Sequence, residues 1–468
     1  MKSLSLVWFV MLAAGASAPA NAASTPTIQL APGSNVQAVV KAAPAGTTFL
    51  LSAGVYRMQS VLPKNNDTFI GNGSVIFNGS QLLAFAANPL GSGFWVAPAS
   101  VLAPDLGFCN AAHPLCNNDQ DLFIDGVLQT PATALAGLAA GSWYFDRAAG
   151  EVYVPSNPAG HAVELGMAQF AFSGTASGVV VQHVIVEEYA NPAQTGAVGG
   201  YKDGNAWIAR YVESRFNHGT GISLGPGGQI LGSNIHHNGQ MGIGIAYGSN
   251  SQVAGNEIAW NNYAGYSKNF EVGGSKFWGT TNLLVENNYV HDNNGPGLWT
   301  DFNNIGTTYQ DNVVVDNIGV GILHEISYNA TIVQNTVVGN LDPTNGAMWT
   351  AQILLANSSR VIVASNTVEV PAGGDGIGLV NELRGTGSEG EWLAANNSIH
   401  NNKIIYLGRV GTSGIVDYLG GNTAAGNQID YDQYVLDGGG ASHWTWFSNM
   451  TWSQLQTAGQ ETHGTCCK

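Results

Sequence analysis

The 468-residue sequence predicts an all-β fold, a right-handed parallel β-helix (solenoid) carrying one small inserted β-domain. Three observations carry that expectation. A motif of Asn or Ser, any residue, Ile or Val, any two residues and often a second Asn recurs with anchors at Ser233, Asn256, Asn288, Asn312, Asn335, Asn366 and Asn402. The successive gaps are 23, 32, 24, 23, 31 and 36 residues, so short gaps read as bare coils and longer ones as coils with loop insertions. Repeats of this length built from short apolar runs stack, because each coil buries its apolar face only against its neighbours. Finally, Gly is abundant at 62 residues and charged residues make up only 10% of the chain, against about 25% in ordinary domains.

Taken in order, residues 1–22 read as a secretory signal: Lys2, the apolar run Leu4 to Ala14, and an A-x-A site at Ala20-Asn21-Ala22. A secreted or periplasmic location follows. No later apolar run approaches the roughly 20 residues that span a membrane. Residues 23–89 form an N-terminal cap and first coil(s), and the stretch from Asn35 to Ala43 has the apolar spacing of a short amphipathic helix able to plug the open end. Residues 90–165 break the repeat and read as the inserted β-domain. Asp125-Gly126 is a hairpin turn between apolar strands, and the runs at Trp143 and Glu151 alternate as further strands. Cys109 and Cys116 are close enough in sequence to staple it, while Cys466-Cys467 is open between a vicinal bridge and free thiols. Residues 166–440 are the β-helix proper and catalytic domain. Residues 441–468, with Trp444, Trp446, Trp452 and a helix-like run after Thr451, form a C-terminal capping tail.

The formal net charge of −16, with 15 Lys plus Arg, argues against nucleic-acid and anionic-membrane partners. A carbohydrate is the partner expected here, with oligomeric state left open because no apolar dimer patch is legible. The same charge disfavours a purely Lys/Arg-based grip on a polyanionic sugar, a gap that Ca²⁺ can bridge. No other cofactor is called for. The chain lacks a G-x-S-x-G elbow, a P-loop and an H-E-x-x-H motif.

Two carboxylates share a phase. The coil N-Y-V-H-D-N-N-G-P-G-L-W-T-D ends at Asp301 and the next, N-V-V-V-D-N-I-G-V-G-I-L-H-E, ends at Glu325, each 13 residues after its anchor and 24 apart. Equivalent positions on adjacent coils lie about 4.8 Å apart. Retaining glycosidases hold their carboxyl groups roughly 5–5.5 Å apart and inverting ones about 6.5–9.5 Å. Two like charges this close repel unless one is protonated, which is the division between an acid and a nucleophile. A Ca²⁺ site and a solvated edge remain as readings of the same pair.

Alternation sends Trp299 and Asp301 outward together, and Leu323 with Glu325, opposite the inward Leu298 and Ile322. Trp299 is then either a sugar-stacking platform or a surface ring covered by a loop. His324 is expected inward or at the corner, as a structural ring or a substrate contact. Glu271 lies on the loop-bearing coil before, where counting from Asn256 puts Asn269 in the carboxylate column. Lys276 and Trp278 follow Gly273-Gly274, and Lys276 is able to hold a hydroxyl or a carboxylate. It is also the best base for a Ca²⁺-assisted lyase or epimerase. Asn303, Tyr328 and Glu382 complete the candidate substrate contacts, with Asp417 further along. A non-enzymatic carbohydrate-binding surface protein is the remaining alternative.

The stretches G-L-W-T-D-F-N-N from Gly297 and G-I-L-H-E-I-S-Y from Gly321 resemble the active-site coils of the β-helical β-xylosidases of glycoside hydrolase family 120. The resemblance implies Asp301 as the nucleophile, in the place of that family's W-L-D, and Glu325 as the acid/base, in the place of its E-V-S. It covers about residues 287–340, and that family also carries a small β-domain inserted into its helix. Tyr328-Asn-Ala stands where the family has S-H-G after the Glu motif.

Overall fold

The computed structural model describes residues 26–88, 93–105, 107–200, 203–420, 424–440 and 442–467. The signal-like residues 1–22 lie outside them. No helix among the described residues is long and apolar enough to cross a membrane.

The coils pack as a parallel solenoid with three short strands per turn. In one coil these are Leu284–Glu286, Tyr289–His291 and Leu298–Asp301, and each pairs in parallel with its counterpart in the next coil. The first two rows merge into one 23-stranded sheet, because the early strands Thr48–Arg57 and Thr68–Asn78 run through the bend, and the third row forms a 12-stranded sheet. Ile243, Ile322, Ile353 and Ile377 face inward and are buried. These side chains stack in one column of the third sheet that Ser275 interrupts between Ile243 and Leu298.

The bends are held by asparagine ladders. Asn288 Nδ2 donates to Val253 O and to Asn312 Oδ1, both at 2.9 Å, and its own Oδ1 accepts from Asn256 N at 3.0 Å. The same pattern links Ser233 through Asn402 and ends on Asp432. A second ladder at the last Asn of the motif runs through Asn238, Asn261, Asn293, Asn317 and Asn340. Each amide satisfies backbone groups that a sharp bend leaves without partners.

The helix Val36–Ala42 is capped by Asn35 and buries Val36 and Val40 against the first coil. At the other end the helix Trp452–Thr457 carries a Thr451/Gln454 capping box. Cys466 is joined to Cys467.

From Ser80 to Gly166 the chain builds two small sheets of four and five strands. Asp125 and Gly126, both at positive φ, turn the hairpin between Leu122–Ile124 and Val127–Leu128. Cys109 and Cys116 are joined, with a Cα–Cα separation of 5.4 Å. This insertion is bolted to the coils through His218, whose Nδ1 lies 2.7 Å from Asp121 Oδ2 and whose Nε2 lies 2.8 Å from Cys116 O. Tyr263 donates to the same Asp121 oxygen at 2.6 Å.

Burial alone would keep His218 neutral, but the Asp121 carboxylate outweighs it and pushes the ring up to about 9. A folded-state value above the unfolded value of about 6.5 stabilises fully below pH 6.5 and is lost as pH rises through 9. Thermal melting is therefore expected to fall between those limits, by on the order of 3 kcal/mol of stability. Buried Asp119, pushed up to about 7 chiefly by burial, adds its own loss as pH rises from about 4 to 7, so His218→Gln is the control. That variant should melt lower at pH 6 and show a shallower slope than wild type between pH 7 and 9. A slope matching wild type would refute the assignment.

Candidate active site

In the strand Leu298–Asp301, Leu298 and Thr300 point into the coil and Trp299 and Asp301 point out. The following strand Ile322–Glu325 repeats the pattern. The register is unbroken: Trp299 is paired with Leu323, and Asp301 with Glu325. The two carboxylates thus lie on adjacent strands about 4.8 Å apart at the backbone. A ladder of polar side chains fixes both strand ends. Asn304 Nδ2 donates to Asp301 O at 2.8 Å, Ser327 Oγ donates to Glu325 O at 2.6 Å, and Asn304 N donates to Ser327 Oγ at 3.1 Å.

Their surroundings differ. Asp301 Oδ2 sits 2.8 Å from Lys276 Nζ, which also lies 3.3 Å from Glu271 and 3.8 Å from the Trp299 ring centroid. Asp301 Oδ1 is buried with no hydrogen-bond partner among the described residues. Glu325 accepts from Trp299 Nε1 at 3.0 Å and pairs with Arg384 Nη1 at 2.7 Å. Burial and the neighbouring Asp301 raise the proton affinity of Glu325, and Arg384 and Lys276 oppose that rise without cancelling it. The cluster brings three carboxylates against two cations, so one proton on Glu325 leaves it electrically balanced. It can present an ionised carboxylate beside a protonated one.

Among the remaining candidates His324 faces inward and Trp299 outward, as alternation expects. His324 lies inside the coil, with 0% exposure, its Nδ1 2.6 Å from Thr300 Oγ1 and burial pushing the ring down to about 3. It alternates out of phase with Glu325, so its ring faces the coil interior and not the carboxylates. Trp299 faces outward but is only 8% exposed; Lys276 covers one face and its N–H is committed to Glu325. Its surroundings are those of a positioning residue, with no face open for a sugar. Asn269 does not enter the carboxylate column. The loop inserted before the strand Gly273–Trp278 delays the register, and Trp278 occupies that place as the partner of Asp301.

Tyr328 is buried at the next turn and donates to Gly390 O at 2.7 Å, while Asn303 Oδ1 accepts from Ser388 N at 2.9 Å. Both anchor the hairpin of residues 386–391. Glu382 is half-buried at the start of that excursion and ties its backbone to Asn357. Glu271 and Lys276 do meet Asp301's side of the site.

Arg384 was missed. It comes from a loop two coils further along, outside the repeat phase, and no spacing rule reaches it. The one available signal was that it is the sole Lys or Arg between Asn366 and Asn402, the longest gap in the repeat. A cavity of about 820 Å³ lies elsewhere, between the inserted sheets and the coils, lined by Gln129, Trp143, Arg147, His218 and Tyr263. Neither Asp301 nor Glu325 lines it, and the His218–Asp121 pair that does is committed to holding the inserted sheets on the coils.

Residues 197–368 match the family described as right handed beta helix region. The fold is a right-handed parallel β-helix. A solved complex of XylC with xylose superposes with a TM-score of 0.67 at 14% identity, covering 86% of this chain and 80% of that one. A glycoside hydrolase structure gives 0.49 at 10% identity, covering 89% and 97%. The A-module of the mannuronan C-5 epimerase AlgE4 from Azotobacter vinelandii gives 0.48 at 14%, covering 88% and 93%. No curated protein matches the sequence. At these identities the likeness is one of fold.

Proposed function

We propose that this chain is a retaining glycoside hydrolase acting on a polysaccharide or its oligosaccharides outside the cytoplasm. One observation carries the reading: Asp301 and Glu325 are register partners on adjacent coils, Asp301 held by Lys276 and Glu325 buried with its proton affinity raised. Asp301 attacks the anomeric carbon while Glu325 gives its proton to the departing oxygen. The glycosyl–Asp301 ester is then cleaved by water, whose proton returns to Glu325. Trp299 and Arg384 hold the Glu325 carboxyl toward the bond, and Lys276 holds Asp301 in place. The solved fold neighbour that carries xylose, and the resemblance of the two coils to family 120 β-xylosidases, support a sugar as the substrate.

A lyase would need Lys276 to give up its proton and act as a base. Its Nζ instead lies 2.8 Å from Asp301 and 3.3 Å from Glu271, where two carboxylates and not a substrate occupy it.

The test is a panel of aryl glycosides and polysaccharides read by reducing ends and ultraviolet absorbance, with and without chelator. Reducing sugar without new ultraviolet absorbance is expected, and NMR of fresh product should show the retained anomer. An unsaturated, ultraviolet-absorbing product would overturn the hydrolase, and an inverted anomer would overturn the covalent route.

A further inference from the structure

The chemistry above uses the side chains that face out of the two carboxylate strands. Those that face in break the pattern of the solenoid. Inward positions stack from coil to coil, and one column reads Leu224, Ile245, Phe277, Thr300, His324, Leu355, Leu379 and Ile415. Six of the eight are apolar, and all are at most 1% exposed. The two polar ones are register partners, and they stand immediately before Asp301 and Glu325.

Polar groups in an apolar interior lower stability unless they are fully paired. Here the pairing is partial. His324 Nδ1 lies 2.6 Å from Thr300 Oγ1, which also lies 3.4 Å from Leu323 O. His324 Nε2 is buried with no hydrogen-bond partner among the described residues. Burial keeps the ring neutral, so it carries no charge that could act on the carboxylates from a distance. An apolar side chain of similar volume would suit the column better, so stability does not account for the pair.

Its position does. The Thr300–His324 contact crosses between the two strands one residue before the carboxylates, and the Asn304–Ser327 contacts cross between them just after. Asp301 and Glu325 are thus bracketed fore and aft. Directly beyond them the backbone turns left-handed at Phe302 and Ile326, with φ 64° and 36°. A β-branched residue such as Ile326 is strained there, and such strain persists only where the surroundings over-determine it. We propose, resting on the hydrolase reading, that Thr300 and His324 are a positioning pair. From inside the coil it fixes the spacing of Asp301 and Glu325, and it leaves the interior less stable than an apolar pair would.

The test is a cycle of His324→Leu, Thr300→Val and the double variant, read by melting, by pH profile, and by kcat and KM on the substrate that the panel identifies. His324→Leu should melt at or above wild type yet lose roughly tenfold to a hundredfold in kcat with KM little changed, the scale of a reacting group misplaced by about 1 Å. Thr300→Val should lose as much and the double variant no more than either, because each change breaks the same contact. Thr300→Ser keeps the hydroxyl and should recover most of the rate. Glu325 must carry its proton, so kcat/KM falls at high pH. That limb should move to lower pH in His324→Leu and Thr300→Val, because carboxylates free to move apart repel less while Lys276, Glu271 and Arg384 stay as they were. Unchanged kcat with an unmoved limb, losses that multiply in the double variant, or a kcat that falls only in step with the melting temperature overturns the pair while the hydrolase stands. Wild type that releases no sugar removes the hydrolase reading and the pair with it.

Discussion

Replacing Asp301 with Ala should lower turnover by roughly four orders of magnitude or more, the scale seen when an attacking group is removed from a preorganised site. The fold should survive: Asp301 is at a strand end and the Asn304–Ser327 contacts that fix the turn use backbone and neighbouring side chains. Lys276 keeps Glu271 as a partner at 3.3 Å, so no buried cation is stranded. The space vacated beside Lys276 suits a small anion. Added azide should therefore restore part of the rate on activated aryl glycosides, giving a glycosyl azide of inverted configuration because azide enters from the Asp301 side. Unchanged circular dichroism with lost turnover and azide rescue would tie the loss to chemistry. Near-wild-type turnover would end the assignment of Asp301 as nucleophile, and the calcium-site or surface reading of the pair would return.

The carboxylate pair was legible because a solenoid turns sequence phase into spatial register. Residues at equal offset from consecutive ladder asparagines must stack when no loop intervenes, and the 24-residue gap between Asn288 and Asn312 has none to spare. The same counting failed one coil earlier. There the gap is 32 residues, the loop precedes the strand, and Trp278 rather than Asn269 takes the place beside Asp301. Alternation correctly sent Trp299 outward yet could not show that the apolar cluster with Met348 and Leu354 would cover it. Outward in a strand means away from the coil interior, and only loop packing decides between water and a second apolar layer. Arg384 marks the same limit: long-range ion pairs made by an insertion leave no periodic trace.

Glu325→Ala should separate substrates by leaving group. General acid catalysis contributes typically 10²–10⁴-fold where the departing oxygen needs a proton. Oligosaccharides should lose about that much in kcat/KM. Dinitrophenyl glycosides, whose leaving group departs as a stable anion, should keep most of theirs, with kcat limited by slow breakdown of the glycosyl–Asp301 ester. Azide should accelerate that breakdown and give a product of retained configuration, the reverse of the outcome in Asp301→Ala. The pH profile follows from the same residue. Glu325 must carry its proton in the first step, so wild-type kcat/KM falls as pH rises through its raised pKa, and this basic limb should vanish in Glu325→Ala. Arg384 lowers that proton affinity, and Glu325 is its one ion-pair partner among the described residues. Equal losses on both kinds of substrate, with the basic limb intact, would mean that another group supplies the proton and that Glu325 serves Arg384 structurally.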